Sequence, residues 1–491
     1  MDISLAGINI DTILLDRIKN ALGEDAEALT PETLSASYAR ISRSQRTVKE
    51  LREKSIKEVG KARRSNERII FEMGHASVAE HAVFNFDILN VSRYAVEFIE
   101  SFRLASFTEK SQRYVLFKEQ YKIPEEIAGG RYKFEYVSTI HKLAVIYSEI
   151  YEKLIKKDIK EESAKEDSRY ATSLATLTQL GMTINARNLE YMIVRLKNSP
   201  LIELKDFAAK IYRSVENIVP SLVKYVNEDP YYRNYYSRGI SSEDEGIPFK
   251  STISPDAAPS HDAPSYTAPS YTVPSYTAPV VKLINYDKDG EDKILAAILY
   301  RNGVNNFARY KALLKGKSNE YRYRILKPVF DKMKVFHPVP REFEYADMLF
   351  EVECSASAFA QLKRHRMSVQ TAQDYNPDIG YTVPPTIKTA GLEALIEEAY
   401  SISTELFHKL YSENRSAAPY ILTNAHRKRV LVKLDLREIY HIARLREDIH
   451  AQWEIRKIAE KMVAYAKGKY PLAALMACGK DKFESAKDKL T

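Results

Sequence analysis

At 491 residues, with 45% apolar and 29% charged side chains, the chain has the composition of an ordinary globular protein and length for roughly two to four domains. Its net charge of +8 is too small for a dedicated nucleic-acid binder, so small anionic ligands such as phosphates are expected and a nucleic-acid partner is not. No apolar run reaches membrane-spanning length, the N-terminus MDISLAGINIDTILLDRIKN lacks a basic segment ahead of an apolar one, and the two cysteines, Cys354 and Cys478, suit a reducing cytoplasm.

In chain order, LSASYARISRSQRTVKELREKSIKEVGKARRSNERIIFEMGH reads as helices with mixed charged faces, and HAVFNFDILNVSRYAVEFIESF as a strand running into a helix. Long helical stretches are expected from Tyr132 to about Ile159 and from Lys165 to about Val226. The composition then breaks. Ile253 to Pro279 holds six prolines, no Lys or Arg, and a five-residue repeat of the type APSYT. Such a run reads as an extended, semi-rigid tether, with neither helix nor strand pairing expected in it. It separates a first arm (1–235) from a second (280–491), with 236–279 as linker. The second arm repeats the order of the first. VVKLINY reads as a short strand, Asp292 to Val335 as helices, EYADMLFEVECSASAFAQLKRH as strand and helix, and Gly391 to Tyr411 and Lys433 to Tyr470 as helices.

The ends of the arms agree most closely. NARNLEYMIVRLKNSPLIELKDFAAKI, starting at Asn185, aligns with DLREIYHIARLREDIHAQWEIRKIAEKM, starting at Asp435, with one gap. Arg187 then matches Arg437, Arg195 matches Arg446 and Glu203 matches Glu454, as an internal duplication would give. Arg437 and His441 share a helix face, Asp448 is placed to cap a helix starting near His450, and Arg446 joins the same side if its helix ends near Leu445. Taken singly, these residues read first as solvated helix charges, Ser111 as a turn cap and His81 as a core histidine.

RHRMS in the second arm, and GHASVAEHAVFNF followed by LASFTEKSQRYV in the first, resemble the flavin-dependent thymidylate synthases, whose signature is RHR, then a serine, then Ser-x-Arg-Tyr. HAQWEIR is similar to that family's closing helix. The signature is divided between the arms. The first keeps Glu109-Lys110-Ser111-Gln112-Arg113-Tyr114 but has Ser101-Phe102-Arg103 for RHR; the second keeps Gln361 and Arg364-His365-Arg366 but has Asp374-Tyr375-Asn376-Pro377 for the serine-arginine loop. Arg169, ahead of Asn185, stands where the family has a phosphate-binding arginine, and Pro419 holds that place ahead of Asp435.

The resemblance implies an α+β fold of two tandem synthase-like domains, each a small mixed or antiparallel sheet with long helices. It implies reductive methylation of dUMP to dTMP with FAD, NADPH and methylenetetrahydrofolate, in a pocket shared between the arms. A dUMP site would comprise Gln361, Arg364, Glu109, Lys110, Ser111, Gln112, Arg113, Arg169 and Arg446, with Arg446 and Ser111 nearest the chemistry. FAD would fall to Ser77, Glu109, Arg364, His365, Arg366, Asn185, Arg187, Asp435, Arg437 and His441, with no metal. Self-association into a homodimer that imitates a tetramer is implied as well. A flavoenzyme acting on another pyrimidine, including one in RNA, and a non-catalytic nucleotide-binding descendant are the alternative outcomes.

Overall fold

The computed structural model describes residues 9–41, 44–111, 113, 115–116, 120–232 and 274–490. Gln112, Tyr114 and the Pro-rich run up to residue 273 lie outside the described residues.

The first arm opens with helices α1 (Thr12–Leu22), α2 (Pro31–Arg40), α3 (Val48–Lys57) and α4 (Val59–Glu67). Strand β1 (Val83–Ser92) leads into α5 (Arg93–Ile99), β2 (Ala105–Glu109) and the helices α6 (Glu125–Ala128), α7 (Lys133–Lys156) and α8 (Glu161–Ser168). Strand β3 (Leu177–Asn185), α9 (Ala186–Lys197) and α10 (Ile202–Val215) complete it. The second arm contains β4 (Ser275–Tyr276), β5 (Val280–Tyr286), α11 (Gly290–Asn302), α12 (Phe307–Leu314), α13 (Asn319–Phe330), β6 (Asp347–Ser355) and α14 (Ala356–Leu362). It continues with β7 (Val369–Ala372), β8 (Tyr381–Thr382), α15 (Pro385–Thr389), α16 (Glu393–Glu413), β9 (Arg427–Asp435), α17 (Leu436–Arg446), α18 (Trp453–Lys469) and α19 (Phe483–Asp488).

Each arm is thus an α+β unit around a small antiparallel sheet, ordered β1-β3-β2 in the first and β5-β6-β9-β7 in the second. Two helical expectations are corrected. The stretch from Lys165 to Val226 is interrupted by β3, where Leu180, Met182 and Ile184 alternate into the core in the period of a strand. The stretch from Lys433 begins inside β9, where Val430, Val432 and Leu434 do the same. The end of the tether also departs from expectation, because Ser275–Tyr276 pair in parallel with Tyr381–Thr382. That edge position costs Pro274 no donor, since its carbonyl accepts from Tyr381.

The arms meet about a pseudo-twofold axis. Leu174 N–H donates to Leu422 O (2.8 Å) and Asn424 N–H to Thr172 O (2.9 Å); Ala175 donates to Tyr420 O (2.9 Å) and Ala425 to Tyr170 O (3.0 Å). The same exchange holds for side chains. Ser92 caps α5 and donates to Glu203 (2.7 Å), which also accepts from Tyr420 of the other arm (2.6 Å). Ser355 caps α14 and donates to Glu454 (2.5 Å), which accepts from Tyr170 (2.8 Å). Glu454 is fully buried and Glu203 half-buried, and in both the carboxylate is engaged by a cap serine and a tyrosine of the other arm, which makes it tolerable in an apolar seam. A single core includes Tyr94 and Ile193 of the first arm with Phe407 and Tyr420 of the second, so the arms fold against each other as one body.

Candidate functional site

The pseudo-symmetry sets Ser92 against Ser355 and, by counting along, Ser101-Phe102-Arg103 against Arg364-His365-Arg366. The RHR triplet lies in the turn after α14. That helix is short and buried except at Gln361, and its end is fixed by Gln370, which donates to Leu362 O (3.0 Å), and Ser368, which donates to His365 O (2.5 Å). From this turn Arg364 crosses to the first arm and donates to both Glu100 and Glu109 at 2.9 Å. Lys363 reaches Glu100 at 3.0 Å, and Glu109 is also gripped by Arg93, the first residue of α5. Around Glu109 the cations outweigh burial and hold its carboxyl below the usual range.

His365 is sandwiched. Its Nδ1 stands 3.3 Å from Glu438, its Nε2 accepts from Arg446 Nε at 3.2 Å, and the His441 ring lies 5.7 Å away edge-on. Burial, with Arg446 second, pushes its pKa down to about 3, so the ring is neutral with its proton on the Glu438 side. Arg446 also donates toward Gln361 Oε1 at 3.4 Å. Burial, then the neighbouring charges of Arg364 and Arg113, lowers its pKa to about 10, which leaves it protonated at neutral pH.

From the first arm, Arg113 donates to Glu166 and reaches across to His450 O at 3.0 Å, while Ser111 accepts the Arg113 N–H at 3.2 Å and so sets the loop. Arg169 is buried and donates to Ser357 of α14 at 2.7 Å. Two buried donors in this region, Arg169 Nε and Gln361 Nε2, have no hydrogen-bond partner among the described residues. A small cavity of about 50 Å³ is lined by Lys110, Ser111, Arg169, Thr172 and Thr178, among others. The donor set is cationic, partly desolvated and incompletely satisfied, which fits a phosphate-bearing ligand. His365, Glu438 and His441 are also close enough to surround a cation. Against that use, His365 Nε2 is engaged by Arg446, and Arg437 and Arg103 face Glu438. A larger cavity, about 760 Å³, lies between α11 and α13 and is lined by none of the site candidates.

The remaining candidates spread outward. Arg366 donates to the carbonyls of Arg103 (3.2 Å) and Ala105, and Arg103 returns a bond to Arg366 O (2.6 Å), so these counterparts clasp across the axis. Asn185 and Asp435 cap α9 and α17. Arg187 pairs with Glu80 (2.5 Å) and Arg437 with Glu344 (3.1 Å), the same contact once in each arm. Ser77 is exposed, and it, Asn185 and Arg187 belong to the first arm's own surface. Asp448 accepts from His450 N–H (3.0 Å), but α18 starts at Trp453 and Gln452 is its cap. Both cysteines are free and buried.

The mirror of this site has been dismantled. Arg93, Glu109, Arg113, Arg169 and Gln361 face counterparts Ala356, Ala372, Asn376, Pro419 and Phe98. Phe102 replaces His365, and Arg195 stacks over its ring at 5.7 Å where Arg446 bonds the histidine. The vacated volume is filled by Tyr375, buried against Glu97 (2.5 Å), and by Lys428, which bonds Glu97 at 2.8 Å. Sequence reasoning passed over Arg93, Glu100, Glu438 and Ser357, although charge at Arg93 opposite Ala356 is a signal that aligning the arms would have raised.

The sequence pattern of the thymidylate synthase complementing protein family matches residues 26–221 and 282–472, so the chain belongs to that family and carries its domain twice. It is 25% identical over 426 residues to a UPF0159 protein of Chlamydia muridarum (80% of this chain, 77% of that one) and 24% identical over 466 residues to one of Thermoplasma acidophilum (83% and 86%). The flavin-dependent thymidylate synthase of Sulfurisphaera tokodaii is 28% identical over 200 residues, which is 39% of this chain and 74% of that one. Among solved structures, a UMP/dUMP methylase, PolB of Streptomyces cacaoi bound with 5-Br dUMP, gives a TM-score of 0.35 at 17% identity, over 42% of this chain and 98% of that one.

Proposed function

We propose that the protein is an FAD-dependent thymidylate synthase, converting dUMP to dTMP by reductive methylation with methylenetetrahydrofolate and NADPH, at a single site shared by its arms. The observation that carries this reading is the asymmetry of the seam. On one side both arms contribute to a desolvated cationic pocket with unsatisfied donors. On the other, Arg93, Glu109, Arg113, Arg169 and Gln361 are replaced by Ala356, Ala372, Asn376, Pro419 and Phe98, and Tyr375 is buried against Glu97.

In this reading Arg113 and Arg169 bind the nucleotide phosphate, where guanidinium forks keep their charge despite burial. Gln361 and Arg446 face the pyrimidine. Arg446, protonated and oriented by neutral His365, favours an anionic form of the ring. Bound FAD would supply the redox chemistry, held by Arg364, His365, Arg366 and His441. Glu109, clamped between Arg93 and Arg364, ties the two contributions together. Ser111 holds the Arg113 loop through its turn.

Two chains pairing would reproduce a four-arm assembly, and the two buried free thiols accord with a cytoplasmic location. Among the described residues, no helix is long and apolar enough to cross a membrane. The test is the visible spectrum of the purified protein followed by dUMP titration. A yellow protein is expected, losing FAD in Arg364→Ala and losing dUMP while retaining FAD in Arg113→Ala. A colourless protein, or equal tolerance of both substitutions, refutes the reading.

A further inference from the structure

The segment Glu166–Tyr170 at the end of α8 reaches the second arm through Asp167, Arg169 and Tyr170, while Glu166 holds the Arg113 loop of its own arm. Glu166 holds Arg113, Arg169 reaches Ser357, and Tyr170 reaches Glu454 and Gln452. Between them Asp167 accepts a hydrogen bond from Thr386 Oγ1 of α15 (2.5 Å) on one oxygen and from Trp453 Nε1 of α18 (3.0 Å) on the other. Trp453 stacks on Tyr170 with ring centroids 6.1 Å apart. The counterpart of Asp167 is Ala417 and that of Trp453, the first residue of its helix, is Ile202, the first residue of α10. On the dismantled side these places hold Ala417, which is buried, and Ile202, which is exposed, so no carboxylate–indole bond forms there. The carboxylate thus stands on the side of the seam that carries Arg113 and Arg169 and is missing from the side that has lost them.

We propose that Asp167 is a positioning residue for the anion-binding arginines Arg113 and Arg169, fastening the segment that carries Glu166 and Arg169 to Thr386 and Trp453 of the other arm. This rests on the anion-site part of the function proposed above, and not on the identity of the nucleotide.

Charge links the two ends. Asp167 is almost fully buried, and burial lifts its carboxyl to about 7, with Glu166 adding to the rise and Arg169 opposing it. The groups facing it are Glu166, Arg169 and Tyr170 from its own segment, the Thr386 hydroxyl from α15, and Trp453 with Glu454 and Lys457 from α18. Arg113 and the turn carrying His450 lie beyond Glu166. An anion arriving at Arg169 removes the interaction that favoured the Asp167 carboxylate, so binding draws a proton onto Asp167. Conversely, an ionised Asp167 adds negative charge beside the site and weakens anion binding as pH rises through neutrality.

Sulfate is the discriminating probe, because it does not titrate between pH 6 and 8. Its binding to the full chain is measured by calorimetry at pH 6, 7 and 8, for the wild type, Asp167→Asn and Asp167→Ala. The wild type is expected to lose about tenfold in affinity per pH unit at most above the transition, the limit for one linked proton. Asp167→Asn keeps one acceptor for Trp453 and should match the wild type at pH 6 but show no decline to pH 8. Asp167→Ala, which frees Thr386 and Trp453, should bind more weakly than the wild type at pH 6, on the order of tenfold, and show no decline to pH 8. Equal pH dependence in the wild type and Asp167→Asn, equal affinity of Asp167→Ala and the wild type at pH 6, or no sulfate binding by the wild type overturns the proposal. A parallel dUMP titration separates the two readings: linked sulfate binding without dUMP binding leaves Asp167 as proposed and refutes the nucleotide.

Discussion

Replacing Arg364 by serine, the residue its counterpart Ser101 already is, separates structural from functional roles at the seam. Arg364 makes two charge-assisted bonds of 2.9 Å, to Glu100 and Glu109. Its side chain is 33% exposed, whereas those of Glu100 and Glu109 are 2% and 4% exposed. Removing one partner of a wholly buried pair costs about 3–5 kcal/mol. Here the cost is smaller, because Glu100 retains Lys363 at 3.0 Å and Glu109 retains Arg93, and because solvent screens part of the guanidinium. Stability should fall by about 1–2 kcal/mol, a small shift in the urea midpoint. Ligand binding should suffer more: losing a charge-assisted contact to an anionic ligand in a desolvated site weakens it about 10–100-fold. The assay pairs urea unfolding with FAD and dUMP titrations on the same preparation. A variant that unfolds several kcal/mol earlier yet binds both ligands normally would show that Arg364 is a structural fastener and nothing more.

Further outcomes follow from the two faces of the seam. Arg446→Ala should abolish turnover, whereas Arg195→Ala, its counterpart over Phe102, should leave steady-state kinetics within about twofold; equal losses in both would refute the assignment of a single live side. Lys428→Met strands buried Glu97 with Tyr375 alone and should destabilise by about 3–5 kcal/mol without weakening dUMP binding, as urea unfolding and calorimetry would show. His426 is buried neutral, its pKa pushed down to about 3 by burial, so the folded chain refuses a proton that the unfolded chain accepts near pH 6.5. Its stabilising contribution is therefore complete above that unfolded value and falls as pH drops toward 3, by up to about 1.4 kcal/mol per pH unit. His426→Gln should flatten this acid limb in urea midpoints taken from pH 7 to 4, and an unchanged slope would contradict the linkage.

Much of the site was legible because its residues are chemically distinctive and the arms could be set side by side. Arg364, His365, Gln361, Arg113, Arg169 and Arg446 were marked by the resemblance to the flavin-dependent thymidylate synthases, and the fold brings them to the same seam. What escaped depends on distance along the chain. Glu100 reads as one more charge at a helix end until Lys363 and Arg364 arrive from the other arm. Ser357 is an ordinary small residue on a buried helix until Arg169 is seen against it. Strands β3 and β9 were hidden differently. Their alternation at Leu180, Met182 and Ile184, and at Val430, Val432 and Leu434, is short and runs without a break into the helix capped by Asn185 or Asp435. The pairing of Ser275–Tyr276 with β8 was obscured because a proline every fifth residue argues against ladders, yet an edge pair needs few donors.

The most direct test of a single shared site is stoichiometry. Calorimetric titration of the flavin-loaded full chain with dUMP, referenced to flavin absorbance and protein concentration, should give one FAD and one dUMP per chain of two domains. Two of either per chain, or binding that survives when Arg364 and Arg113 are both replaced by alanine, would contradict it.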